Sequence, residues 1–261
     1  MLIIDTHCHA GLNWFEPIEV LLAQMNANGV TGGVLVQHAG TFDNTYLFES
    51  ANRFPGRFKV CVQVDPDDPK PEVTLEKLKK QGAAGRRRYP DSKFKAVGPY
   101  DMWKRAGELG LVVSTGGSAA ADAFGEEFKK ILDACAGKTH VNIEHLAGVG
   151  HEPAPHPKYK EALEAAKWPN TSLKVPGLGE IARRPKTHRP DFFVDGLPPL
   201  FEMAREAFGA KRMMWGSDFP PSAGREGYRN ALEGVRTHPA FKGGDDIEWV
   251  LGKSAAKVWG F

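Results

Sequence analysis

Near its start the chain carries an imidazole pair. The run Ile3-Ile4-Asp5-Thr6-His7-Cys8-His9 is apolar and then ends in His-x-His. Side chains alternate faces along a β-strand, so residues two apart point the same way. His7 and His9 can therefore grip one divalent cation, with Asp5 on their face and Thr6 and Cys8 on the other. Two imidazoles do not complete a site. Other groups able to do chemistry close later apolar runs: Gln37 and His38, Arg86-Arg87-Arg88-Tyr89, Ser114 and Thr115, Glu144 and His145, Lys174, and Asp218 within Met214-Trp215-Gly216-Ser217-Asp218-Phe219-Pro220. Asp218 is the expected partner of the histidine pair. A bound cation lowers the pKa of water toward ~7, and a carboxylate beside it can take the proton as the water attacks. Arg86 and Arg88 share parity, so the sequence predicts two guanidinium groups facing the site and Arg87 facing away. Guanidinium suits bidentate recognition of a carboxylate, so a small anionic substrate is expected.

Those groups need elements to position them. Strand-like runs are read at 2–6, 33–37, 58–64, 83–89, 111–115, 140–145, 171–175 and 212–216. Helical spacing of apolar residues is read at 17–28, 74–81, 99–109, 126–136, 158–167, 200–208 and 225–235, with a further helix after residue 42 and a closing helix over 247–259. Strands alternating with helices imply a parallel sheet, and eight strands close a (β/α)8 TIM barrel of α/β class. The 261 residues suit one such domain, which typically needs about 250 residues. An open doubly wound sheet is the alternative, but no glycine-rich phosphate loop follows the first strand. In a closed barrel the strand ends named above converge on one mouth. Two long proline-rich loops also follow strands. One spans 148–157, with His151 and His156; the other spans 176–199, with Arg183, Arg184, His188 and Arg189. Their histidines are expected at the surface.

Composition narrows the function. Apolar content is 41% and charged content 25%, ordinary for a soluble globular chain. A net charge of +2 gives no reason to expect nucleic acid or an acidic membrane. No run approaches 18 apolar residues, so no membrane span is expected, and the first residues lack a signal-peptide pattern. Cys8, Cys61 and Cys135 are widely spaced, which fits reduced thiols in a cytoplasmic protein. Duller readings compete. Asp218 could cap a turn, His145 could be a core histidine, His38 could be structural, and the arginine run could be a solvated strand end.

Four motifs together resemble the amidohydrolase-related branch of the amidohydrolase superfamily, which includes lactonases and decarboxylases. They are IIDTHCHA at the start, IEHLAG at strand six, WGSDFP at strand eight and VLGKSAAKVWGF at the end, in the expected order along the whole chain. The resemblance implies that His7, His9 and Asp218 ligate a metal, that Asp218 is also the general base, and that His145 is a catalytic or metal-proximal histidine. It also exposes a departure. The family places a histidine at the end of strand five, where this chain has Ser114. A hydroxyl is a far weaker ligand than imidazole, so Ser114 is counted with Arg86 and Arg88 among substrate-binding residues. No lysine ends strand four to bridge two ions; cationic arginines stand there instead. One divalent ion, Zn²⁺, or none is expected, and never a binuclear centre. The leading expectation is a hydrolase acting on a small carboxylated ester, lactone or amide. A metal-dependent decarboxylase of a small aromatic or unsaturated acid is the second reading, and a non-catalytic binding barrel the third. Pairing of barrels into a homo-oligomer is compatible with the sequence.

Overall fold

The computed structural model describes residues 1–116, 124–188 and 196–261. Eight parallel strands form one sheet in sequence order: β1 (Ile4–Cys8), β2 (Gly32–Val36), β3 (Phe58–Val62), β4 (Ala83–Arg87), β5 (Val112–Thr115), β6 (Val141–Ile143), β7 (Thr171–Val175) and β8 (Met213–Trp215). Helices alternate with them, so the single-domain TIM barrel expected from the sequence is what the chain forms. The ring closes between β8 and β1. The Asp218 N–H donates to the His7 carbonyl at 2.7 Å, and the His9 N–H to the Phe219 carbonyl at 2.8 Å. Gly216 permits this approach, because a Cβ there would lie 2.7 Å from the His7 Cβ. Expected and observed elements differ mainly at their ends. Strand six stops at Ile143 because His145, Leu146, Ala147 and Gly148 all have positive φ. The closing helix is divided by a π turn at Trp249–Lys253. Arg189, named in the second proline-rich loop, lies outside the described residues.

Two apolar layers hold the barrel. Inside, Ile4, Val34, Val36, Cys61, Val112 and Met214 pack with Ala255 and Trp259 of the C-terminal helix Ser254–Trp259, which closes the bottom. Outside, β-strand residues such as Leu35, Val62, Val113 and Leu173 pack under the helices. Full burial of each such side chain contributes about 1.5–3 kcal/mol. Gly85 belongs to the inner layer: a Cβ there would meet Trp259 at 2.6 Å. That contact fixes the phase of β4, with a consequence for the arginines that follow it. Among the described residues no helix is long and apolar enough to cross a membrane.

Candidate active site

The strand ends bring His7, His9, His145 and Asp218 together at the mouth. The Asp218 Oδ1 lies 3.4 Å from the His9 Nε2 and 3.7 Å from the His7 Nε2. The His145 Nε2 lies 3.3 Å from the His7 Nε2. Asp218 and His145 have φ of 53° and 52°. A left-handed backbone costs a non-glycine residue about 1–3 kcal/mol and persists only where surrounding contacts enforce it. Here both side chains come within 3.7 Å of the His7 Nε2.

Each imidazole is held through its second nitrogen. The His9 Nδ1 donates to the Val36 carbonyl at 2.6 Å, which leaves the Nε2 facing Asp218. The His145 Nδ1 lies 3.0 Å from both Glu180 oxygens. The His7 Nδ1 lies 2.8 Å from the Lys174 Nζ. Asp218 also accepts from Arg225 Nη1 at 2.9 Å, and Arg225 Nη2 reaches Glu180 at 3.1 Å. Burial alone would raise the Asp218 pKa. The His9 hydrogen bond and the charges of His145, His9 and Arg225 outweigh it and hold the carboxyl below its ordinary range. Burial likewise pulls His145 down, but Glu180, Asp218 and Glu144 raise it above its ordinary value.

The donor set fits one metal ion. Zinc bonds of about 2.0–2.1 Å place tetrahedral ligand atoms roughly 3.3–3.5 Å apart, close to the spacings just given. His7, His9 and Asp218 offer ligand atoms within 4.8 Å of one another. The carbonyl on the His9 Nδ1 is the outer partner that a metal-bound imidazole requires. His7 would have to carry its proton on Nδ1 and give it to a neutral Lys174. Burial lowers the Lys174 pKa against the opposing pull of Glu144, which is the direction that state needs.

A buried charge cluster lies beneath. Glu144 accepts from Arg87 Nη2 at 2.9 Å and from Ser114 Oγ at 2.6 Å, with the Lys174 Nζ at 4.0 Å. Burial raises the Glu144 pKa, but Arg87 and then Lys174 bring it down to about 2. Beside the cluster a cavity of about 600 Å³ is lined by His9, Trp14, Phe15, His38, Thr41 and Arg87, among others. Phe15 stacks on His9 with centroids 5.0 Å apart, and His38 meets Phe15 edge-on at 4.5 Å.

Several expectations need correction. Arg86 and Arg88 do not face the mouth; Arg87 does. Register pairs Arg86 with Val62 and Val113 of the outer layer, and Arg87 with Ser114 inside. The cause is Gly85, which must face inward against Trp259, so the alternation puts Arg86 outside. Ser114 is on the inside but fully buried, and its hydroxyl is spent on Glu144 and Lys174. It therefore presents nothing to a substrate. His151 and His188 are exposed as expected, whereas His156 is 5% exposed. Sequence reasoning assigned no role to Glu144, Lys174, Glu180 or Arg225. The first two closed strands six and seven, which was their only signal. Glu180 and Arg225 lie in loops after β7 and β8 and carried none.

The family described as "Amidohydrolase" matches residues 4–261. Among curated proteins no sequence match was found. Several solved structures share the fold. A probable 2-pyrone-4,6-dicarboxylic acid hydrolase from Acinetobacter baumannii, with citric acid bound, is 17% identical over 100% of both chains, with a TM-score of 0.74. An amidohydrolase from Burkholderia multivorans with bound zinc is 17% identical over 100% of both chains, with a TM-score of 0.77. A 2,6-dihydroxybenzoate decarboxylase in complex with 2,6-dihydroxybenzoate is 12% identical over 99% of this chain and 98% of the other, with a TM-score of 0.69.

Proposed function

The chain belongs to the amidohydrolase family of hydrolases and decarboxylases, and on that premise we propose that it hydrolyses a small, planar, carboxylated lactone or ester. The observation that carries this reading is the ionised Asp218, whose Oδ1 faces the His9 and His7 nitrogens at 3.4 and 3.7 Å, beside a cavity that contains Arg87. Asp218 takes the proton of the attacking water. His145, charged through Glu180, gives a proton to the leaving oxygen. Phe15, His38 and Trp14 wall the space for a flat ring, and Arg87 offers it a cation. When bound, one divalent ion held by His7, His9 and Asp218 would polarise the carbonyl and acidify the water. Zinc in the Burkholderia protein and the hydrolase description of the Acinetobacter protein support this class. The three unpaired buried thiols support a reducing, cytoplasmic setting.

The test is a panel of small lactones and the matching free acids, assayed on protein whose metal content is measured as isolated. Lactone opening with at most one metal equivalent is expected. Release of CO₂ from an acid would make the protein a decarboxylase, and ligand binding without turnover would leave only a binding barrel. Two metal equivalents would contradict the site, because cationic Arg87 stands on β4 where a bridging group would have to be. Within that panel, Arg87→Lys tests the anion contact while keeping a cation for Glu144. Loss of the guanidinium fork costs about 1.5–3 kcal/mol. The expected result is a KM for a carboxylated substrate raised roughly tenfold or more. A KM unchanged from wild type would remove Arg87 from substrate recognition.

A further inference from the structure

Only the middle member of Arg86-Arg87-Arg88 serves the mouth. Arg86 and Arg88 lie on the outer side of β4 and are 1% and 4% exposed. Both guanidinium groups lie against one ring: their Cζ atoms are 5.3 and 4.7 Å from the Phe94 centroid, and Arg88 is also 5.6 Å from that of Trp103. Among the described residues each has a single acceptor, a backbone carbonyl. Arg86 Nη1 donates to Met102 at 3.2 Å, and Arg88 Nη2 to Ser92 at 2.5 Å. Among the described residues, the Nε of Arg86, the Nε and Nη1 of Arg88, and the indole Nε1 of Trp103 have no acceptor. Among the described residues no carboxylate pairs with either arginine.

Buried charges in proteins are ordinarily paired, and buried donors ordinarily bonded. Two cations sharing one apolar pocket break both rules at once. They do not escape by neutralising. Burial, with Arg88 nearby, lowers Arg86 to about 9, and burial lowers Arg88 to about 10, so both stay charged at neutral pH. Stacking on Phe94 fixes the guanidinium planes. Three guanidinium nitrogens with unspent N–H groups then remain for a ligand with several acceptor oxygens.

We propose that Arg86 and Arg88 form a binding site for a small oxyanion, phosphate- or carboxylate-like, on the outer side of β4 beneath the segment 89–98. It is separate from the catalytic mouth, because register sets Arg86 beside Val62 and Val113 in the outer layer. The bound anion would neutralise the pair and tie β4 to the covering segment.

The experiment is thermal unfolding of the full chain in low-salt, oxyanion-free buffer, repeated with inorganic phosphate and with malonate. At an anion concentration a hundred times its Kd, the unfolding constant is expected to fall about a hundredfold. A response to phosphate alone assigns a phosphate-type ligand, and a response to malonate alone a carboxylate. Arg88→Met should abolish the effect, and Arg87→Lys should keep it. No stabilisation of the wild type by either anion would overturn the proposal. So would stabilisation that survives Arg88→Met, or that is lost in Arg87→Lys. Should Arg88→Met fail to fold, Arg88→Lys keeps the charge but removes the fork. Its anion Kd should rise at least tenfold, and an unchanged Kd would equally sink the idea.

Discussion

Asp218→Asn is expected to lose turnover by at least a factor of about 10², with the fold intact. The side chain keeps its shape and its acceptor oxygen for Arg225, which now holds Oδ2 at 2.9 Å. What disappears is the group able to take a proton from water. The backbone at this position has φ 53°, a conformation that asparagine tolerates about as well as aspartate. Alanine would add backbone strain to the chemical loss, so asparagine is the cleaner test. The measurement pairs kcat with a thermal melt. A kcat near wild type would move the base elsewhere, and Glu180, held to His145 and Arg225, would be the next group to replace. A melt far below wild type would instead show that the carboxylate serves mainly to balance Arg225.

The barrel was legible because its signal is repeated eight times. Each buried strand is a short apolar run, each helix has its own period, and an error at one end does not change the count. The His-x-His pair was legible because alternation spans only two residues there. Asp5, expected on the same face, instead lies in the outer layer against Tyr228, because the register of β1 shifts between Asp5 and Cys8. The same rule failed on β4. Its parity was counted without an anchor, and the register against β3 shifts between Val60 and Cys61. Gly85, held against Trp259, sets the phase, and nothing local to the arginines reports a residue more than a hundred and fifty positions away. Ser114 stands out in strand five as a small polar residue, but what it does there depends on Glu144 and Lys174 across the sheet. The left-handed turn at His145, Leu146 and Ala147 lacks the glycine or asparagine that would announce it. Site residues supplied by loops, such as Glu180 and Arg225, carry no period at all.

That cross-strand cluster sets the second large effect. Glu144→Leu is expected to cost about 3–5 kcal/mol, as removal of one partner from a buried ion pair typically does. Whole domains have only about 5–15 kcal/mol of stability, so the variant should be marginal. Glu144 is fully buried between Arg87 at 2.9 Å and Ser114 at 2.6 Å, with Lys174 at 4.0 Å. Leucine fills a similar volume but leaves two buried cations without a counter-charge. Glu144→Gln keeps an acceptor for Ser114 and Arg87 and should lose less. The same pairing has a sign in pH. The folded pKa is about 2 against an ordinary 4.5, so the contribution is full above about 4.5 and is lost as pH falls toward 2. Urea unfolding at neutral pH and along an acid series reads both effects. In Glu144→Gln the part of the acid slope between those values should flatten. A Glu144→Leu variant within about 1 kcal/mol of wild type at neutral pH would mean that water reaches the cluster and already screens its charges, because only a dry pair makes the loss of one partner this costly.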